Sequence, residues 1–305
     1  MARRFAIYDV FTQTKLAGNQ LAVVFDGDGL SDAAMQAITR EFNLSETVFV
    51  RPPEQAAHAA RLRIFTPGRE LPFAGHPTVG AAIALAEEAD GDPRSSLDLM
   101  HVLEENVGPV RCAVRLRPGE ASFAEFDLPR TSARHAWSVD PQQLSDALSL
   151  NTSHIGFENH RPSVWSAGVP FVMVPVHDLG AIGAVEFDSS RWEQIAPLVE
   201  GHLASAYLYC RGGVNHHANF HARMFASGMG IVEDPATGAA VAAMSGAIHH
   251  FDGLTDGHYP ILIEQGVEMG RPSLIHLHLD VRDGGISRAR IGGHAVRIAT
   301  GSLDV

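Results

Sequence analysis

Short apolar runs alternate with helix-like periodicity along the whole chain. Residues 5–10, 21–25 and 47–50 are rich in β-branched and aromatic side chains and predict strands. Ser31-Asp32 introduces residues 33–42, where Met35, Ile38 and Phe42 share one face, the pattern of a capped helix. Residues 61–65 alternate charged and apolar positions and stop at Thr66-Pro67. After Gly75-His76-Pro77, residues 78–89 are apolar on most sides, which predicts a buried helix. The second half repeats the order: a strand through Phe225, a loop, Asp234-Pro235, then an Ala-rich helix to about His249. Pro77 and Pro235 are expected at first helical positions, where a missing N–H costs nothing.

That recurrence extends to residue types. Arg63-Ile-Phe65 and Arg223-Met-Phe225 lie 160 positions apart. His76-Pro77-Thr-Val-Gly80-Ala81-Ala82 matches Asp234-Pro235-Ala-Thr-Gly238-Ala239-Ala240 at an offset of 158. Gly18-Asn-Gln-Leu-Ala-Val-Val24 pairs with Gly168-Val-Pro-Phe-Val-Met-Val174, and Leu44-Ser-Glu-Thr-Val-Phe-Val50 with Leu203-Ala-Ser-Ala-Tyr-Leu-Tyr209. Four collinear matches at nearly constant spacing indicate a duplicated unit. The expected fold is α/β (α+β): two pseudo-symmetric domains, each a curled sheet around a central buried helix. The boundaries expected are 1–118 and 119–288, with turn residues clustering over 117–133. Periodicity alone does not assign segment 289–299.

Composition narrows the class. The 305 residues are 45% hydrophobic and 19% charged, with 23 Lys and Arg against 35 Asp and Glu and a net charge of −12. A soluble protein with sizeable cores fits those proportions. The acidic balance, with no basic run, argues against nucleic acid or anionic membrane as partner. Asp9 interrupts the first apolar run, so neither a signal peptide nor a membrane span is expected. With Cys112 and Cys210 as the two cysteines, a reducing, cytoplasmic setting is expected.

Chemistry is expected at the two helix starts. A helix N-terminus offers unpaired N–H groups and partial positive charge, which together bind carboxylates. Gly75, Gly80 and Gly238 are expected to let the backbone approach a ligand. A small anion clamped in a cleft between the halves would meet His76 and Asp234, a pair able to handle protons or hold substrate. Each also has a plainer reading as a helix cap. Glu46 stands at the entry to an apolar strand, where its carboxyl is expected to be raised in pKa and suited to accepting and returning a proton; the plainer reading is an exposed loop glutamate.

Gly18-Asn-Gln-Leu-Ala-Val-Val24, Asn43-Leu-Ser-Glu-Thr-Val-Phe49 and the block from Phe65-Thr-Pro-Gly to Gly75-His-Pro-Thr-Val-Gly80 resemble successive signatures of the PhzF-like phenazine-biosynthesis isomerase family. Arg223-Met-Phe225, Val232-Glu-Asp-Pro-Ala-Thr-Gly-Ala-Ala240 and Glu264-Gln-Gly-Val-Glu-Met-Gly-Arg-Pro-Ser273 complete the set, in order, over nearly the whole chain. The resemblance implies a diaminopimelate epimerase-like fold, in which 289–299 can cross back to the first domain. It also implies catalytic roles for Glu46, His76 and Asp234, with backbone around Gly75, Gly238 and Ala239 binding a substrate carboxylate. The family's best-understood reaction isomerises trans-2,3-dihydro-3-hydroxyanthranilate, the glutamate moving a proton from one ring carbon to another. No metal or organic cofactor is implied. The expected partners are a small carboxylate substrate and a second copy of the chain in a homodimer. Gln20 replaces the usual proline and Ala239 the usual serine, and the second change puts the substrate in question.

Three alternatives stand beside this reading. A racemase or epimerase of the same fold uses two cysteines at the helix starts, and neither Cys112 nor Cys210 falls there. Metal-dependent catalysis would draw on His216-His217, His221, His249-His250 or His276-Leu-His278, none of which has the spacing of a zinc signature. A non-catalytic small-molecule-binding relative would have no need of Glu46.

Overall fold

The computed structural model describes residues 2–90, 96–226 and 231–305. They form two compact units, one of residues up to Pro129 together with Ile291–Val305, the other of Arg130–Arg290.

In the first unit β1 (Ala2–Val10) and β2 (Asn19–Val24) pair antiparallel. α1 (Asp32–Phe42) then leads to β3 (Glu46–Arg51), which lies parallel to β2 with Leu21 opposite Glu46. The Ser31 hydroxyl accepts from the Ala34 N–H at 3.2 Å, and Asn43 ends the helix in the left-handed region at φ 51°, which asparagine tolerates. Met35 and Ile38 pack with Val24, Phe49 and Phe65, and Phe42 lies against that cluster. β4 (Ala60–Phe65) runs antiparallel to β3 and β5 (Glu70–Leu71) folds back on β4. Next come α2 (Gly75–Asp90), β6 (Leu97–Glu105), β7 (Gly108–Leu116) and β8 (Ser122–Asp127). β4 pairs parallel with β6, and β6, β7 and β8 form an antiparallel meander.

The second unit opens with β9 (Ala133–His135) and α3 (Pro141–Leu148). β10 (Ser163–Ser166), β11 (Pro170–Pro175), α4 (Leu179–Gly183) and α5 (Ser189–Ile195) follow. After the short pair β12 (Leu198–Val199) and β13 (His202–Leu203) come β14 (Ser205–Arg211), β15 (Phe220–Ala226) and β16 (Ile231–Asp234). α6 (Gly238–Asp252), β17 (Gly257–Gln265), β18 (Ser273–Arg282) and β19 (Gly285–Asp304) complete the chain. Trp192, fully buried, centres a core with Leu144, Val174, Ile182, Leu208 and Phe225, and its indole N–H donates to the Ala204 carbonyl at 3.0 Å.

The duplication read from the sequence reappears as pairing. β2 with β3 and β11 with β14 are both parallel. β3–β4 and β14–β15 are antiparallel, β4–β6 and β15–β17 parallel, β6–β7 and β17–β18 antiparallel. Even the register agrees, with Arg61 opposite Glu104 and His221 opposite Glu264.

The last strand is shared between the units. Its start neighbours β18, while Ala295–Asp304 pairs antiparallel with β1 and β19 also pairs with β8. In the first unit the order β19–β1–β2–β3–β4–β6–β7–β8 therefore returns to β19 as a ring. α2 packs on β1, β2, β3, β6, β7 and β8, so it lies inside. β8 keeps the chain in this unit past the expected 118/119 boundary, because it completes the meander with β7, and the division falls after Pro129.

Three expectations are corrected by the helices. α2 begins two residues before Pro77, and α6 begins three residues after Pro235 with Thr237 as its N-cap, so neither proline stands at a first helical position. Gly80 serves packing instead of ligand approach: a Cβ there would meet Leu21 Cδ2 at 2.5 Å and Val10 Cγ2 at 2.8 Å.

Candidate active site

Glu46 is the first residue of β3, and His76 is the second residue of α2. The structure brings these two together: Glu46 Oε2 lies 3.4 Å from His76 Nε2, with side chains 14% and 5% exposed. The exposed-loop reading of Glu46 is thereby excluded. Asn19, at the start of β2, places its Nδ2 3.5 Å from His76 Nδ1, which sequence reasoning missed. Burial pushes the His76 imidazole down to about 3, opposed by a backbone group of Gln20. His76 is thus neutral and stands beside Glu46 without adding a full charge.

Gly75 and His76 are both buried in the first turn of α2, whose leading N–H groups have no intrahelical partner. No Lys or Arg occurs within residues 73–85 or 232–250. The nearby cations are committed elsewhere. Arg63 pairs with Glu70 and, at 3.0 Å, with Asp32. Arg223 is buried, forked on Glu233 at 2.8 and 2.9 Å and donating to the Ile182 and Val185 carbonyls.

In the second unit Asp234 is the last residue of β16 and 6% exposed. It is not the cap of α6. Instead its Oδ2 accepts from the hydroxyl of Thr237, and Gly238 and Ala239 open the helix just behind. Gln265, at the end of β17, ties this corner together. Its amide nitrogen donates to the Asp234 carbonyl at 2.7 Å and to Thr237 Oγ1 at 3.0 Å. Its amide oxygen accepts from the Thr237 N–H at 3.2 Å and from the hydroxyl of Tyr207 at 3.3 Å. With its oxygen engaged by Gln265, Thr237 has its one proton left for Asp234. Burial, with Asp234 near, pushes the Tyr207 phenol up and keeps it a donor. A signal for Gln265 existed in the sequence, since it stands 160 positions after Glu105.

The other chemistry-bearing groups are built into structure. Cys112 lies in β7 and Cys210 in β14, both buried and neither at a helix start in the chain; burial pushes the Cys112 thiol up and the Cys210 thiol to about 12. His221, in β15, is buried between carboxylates, 2.7 Å from Glu264 and 2.9 Å from Glu268. Among the described residues, Glu158, His160 and Asp252 gather donors within 4.8 Å of one another. The Arg211 guanidinium already fills that cluster, donating to Asp252 and, at 2.9 Å, to Glu158.

Comparisons with known proteins give the family and the fold. Residues 8–301 match the family described as phenazine biosynthesis-like protein, PhzC-PhzF. The chain belongs to that family. An uncharacterized isomerase of Mesorhizobium japonicum is 56% identical over 99% of both chains. The trans-2,3-dihydro-3-hydroxyanthranilate isomerase of Pseudomonas aeruginosa is 34% identical over 98% of both. A PhzF-family phenazine biosynthesis protein of Bacillus anthracis superposes with a TM-score of 0.85 over the whole of both chains at 23% identity, which fixes the fold. The protein is an isomerase of the PhzC-PhzF family.

Proposed function

We propose that the protein moves a proton on a small carboxylic acid without a cofactor, with Glu46 as the group that removes and returns it. The observation that carries this reading is the Glu46–His76 contact: a carboxyl group 3.4 Å from an imidazole, both nearly out of water. In its basic form Glu46 takes a proton from one carbon, holds it as the acid and delivers it to another carbon. The chain's atoms are unchanged at the end of the cycle. Neutral His76 lies beside the carboxyl and adds no net charge, so the basicity of Glu46, on which proton uptake depends, is not lowered by a fixed cation.

Asp234, fixed by Thr237 and Gln265, holds a polar group of the substrate. The carboxylate is bound by N–H groups around Gly75, Gly238 and Ala239, because no cationic side chain lies in those segments. Similarity to the Pseudomonas aeruginosa enzyme makes a cyclic dihydro-hydroxy amino acid the first substrate to assay. Ala239 contributes no hydroxyl, so a substrate differing in its polar substituents is the second. A cytoplasmic homodimer is the state in which we propose it acts, on the evidence of its two unoxidised, buried cysteines for the compartment.

Glu46→Gln tests the assignment. The amide keeps the shape but cannot accept the proton, so turnover should fall by roughly 10²–10⁴ while ligand affinity and melting temperature stay close to wild type. Turnover of a confirmed substrate at near the wild-type rate would remove Glu46 from the role of base.

A further inference from the structure

Glu105 is the last residue of β6, 4% exposed, and faces the first turn of α2. Thr78 Oγ1 lies 2.8 Å from Glu105 Oε1 and 2.7 Å from the carbonyl oxygen of Ala74. The hydroxyl owns one proton and both neighbours are oxygens. The Ala74 carbonyl can only accept. If Thr78 gave its proton to an ionised Glu105, two lone pairs would face each other 2.7 Å apart at Ala74. If Glu105 carries a proton, the row closes: Glu105 donates to Thr78, and Thr78 donates to Ala74. The other carboxyl oxygen, Oε2, is buried without a hydrogen-bond partner, which a neutral carbonyl-like oxygen tolerates far better than an ionised one.

The duplication supplies an independent argument. Glu104 and Glu264 occupy one repeat position and do one job: Glu104 accepts the Glu54 and Gln55 N–H groups, and Glu264 those of Val214 and Asn215. The next position holds Glu105 in one unit and Gln265 in the other. Gln265 is a neutral amide that gives protons to Thr237 Oγ1 and the Asp234 carbonyl at the approach to α6. A protonated glutamic acid is the nearest chemical equivalent of glutamine, one O–H donor beside one carbonyl acceptor.

We propose that Glu105 is held as the neutral acid in the folded protein and is the positioning residue for the first turn of α2, the turn that carries Gly75 and His76, as Gln265 is for the corner that carries Asp234. Burial raises the Glu105 carboxyl to about 8, with the Thr78 contact working against the shift. The Cys112 thiol on β7 feels both Glu105 and Asp127 of β8, and His76 shares the first turn of α2 with Thr78. The thiol is held protonated and His76 neutral, so neither supplies a cation that would keep Glu105 ionised.

Three measurements test the proposal, and none uses a substrate, so its outcome is separate from that of the isomerase reading. Wild-type protein at about pH 7 should show the infrared carbonyl stretch of a buried protonated carboxyl group, missing in Glu105→Gln. A carboxyl raised in the folded state binds a proton that the unfolded chain has lost. Stability is therefore lost as pH rises from about 4.5 to about 8, after which the loss is complete. The melting temperature of Glu105→Gln relative to wild type should accordingly climb across that range by more than about 3 °C. The His76 ring signals in NMR should shift with a midpoint near 8 in wild type and not in Glu105→Gln, because the first turn feels the ionisation. If the variant does not fold, the wild-type infrared band and its loss above about pH 8 still decide the protonation state. A missing band at neutral pH, or a flat melting-temperature difference, overturns the neutral acid; His76 signals indifferent to Glu105 overturn the positioning role.

Discussion

His76 sits where two demands compete. Burial favours the neutral ring, while a backbone group of Gln20 favours the imidazolium. Burial wins, taking the ring down to about 3. For a histidine lowered in the folded state, the unfolded chain takes the proton first. The stability it contributes is whole above about 6.5 and drains away as pH falls toward 3. The His76 ring should therefore show no protonation step of its own between about pH 5 and 8 when followed by NMR. A midpoint near the ordinary value of about 6.5 would mean that His76 and Glu46 form an ion pair, and the proton-uptake argument would have to be rebuilt around a fixed cation. At this scale the sequence was informative about identity and poor on environment. The Ser-Glu-Thr and Gly-His-Pro-Thr blocks picked out Glu46 and His76, but only the pairing of β2 with β3 shows that Asn19 joins them.

At the scale of elements, two loops of the same shape are clamped in the same way. The loop after β3 turns back on Glu104, which also meets His58 Nδ1 at 2.8 Å; the loop after β14 turns back on Glu264, which meets His221 Nδ1 at 2.7 Å. The second clamp is the more deeply buried and has a further carboxylate, Glu268, on His221 Nε2. Acceptors on both ring nitrogens require both to carry protons, so His221 is an imidazolium, raised to about 9 by these carboxylates against the cost of burial. Its contribution is present below about 6.5 and is lost as pH climbs through 9. Replacing it by Phe should leave the buried Glu264 carboxylate without its cation and cost roughly 3–5 kcal/mol at neutral pH, seen in chemical denaturation. The alkaline slope of stability that His221 supplies should vanish with it. A variant within about 1 kcal/mol of wild type would show that the clamp holds without the charge. Periodicity predicted the strands and the two buried helices because their apolar faces are continuous. It could not find the clamps, since a glutamate that binds backbone N–H groups reads the same in sequence as one in water.

The whole molecule turns on its last strand. An apolar-polar alternation over 289–299 gave no hint of which unit owned it, because a strand shared by two units satisfies the pattern in both. β1 has two partners, β2 on one side and β19 on the other, and the β19 pairing runs from Ala2 opposite Asp304 to Val10 opposite Ala295. β8 also borders β19, so the same segment closes the ring around α2. Ending the chain at Arg290 would open both borders at once, leaving the backbone groups of β1 and β8 unpaired along one edge each and uncovering the wall that buries α2. The loss should fall on one unit. In hydrogen exchange the amides of β1, β8 and α2 should lose protection by several orders of magnitude, while those of β11, β14 and α6, whose pairings lie within Arg130–Arg290, should keep most of theirs. A synthetic peptide of residues 291–305 added in trans should restore protection to β1 and β8 together. Protection that survives truncation would show that α2 and the β1–β8 wall hold without ring closure, and protection lost equally everywhere would show that the two units unfold as one.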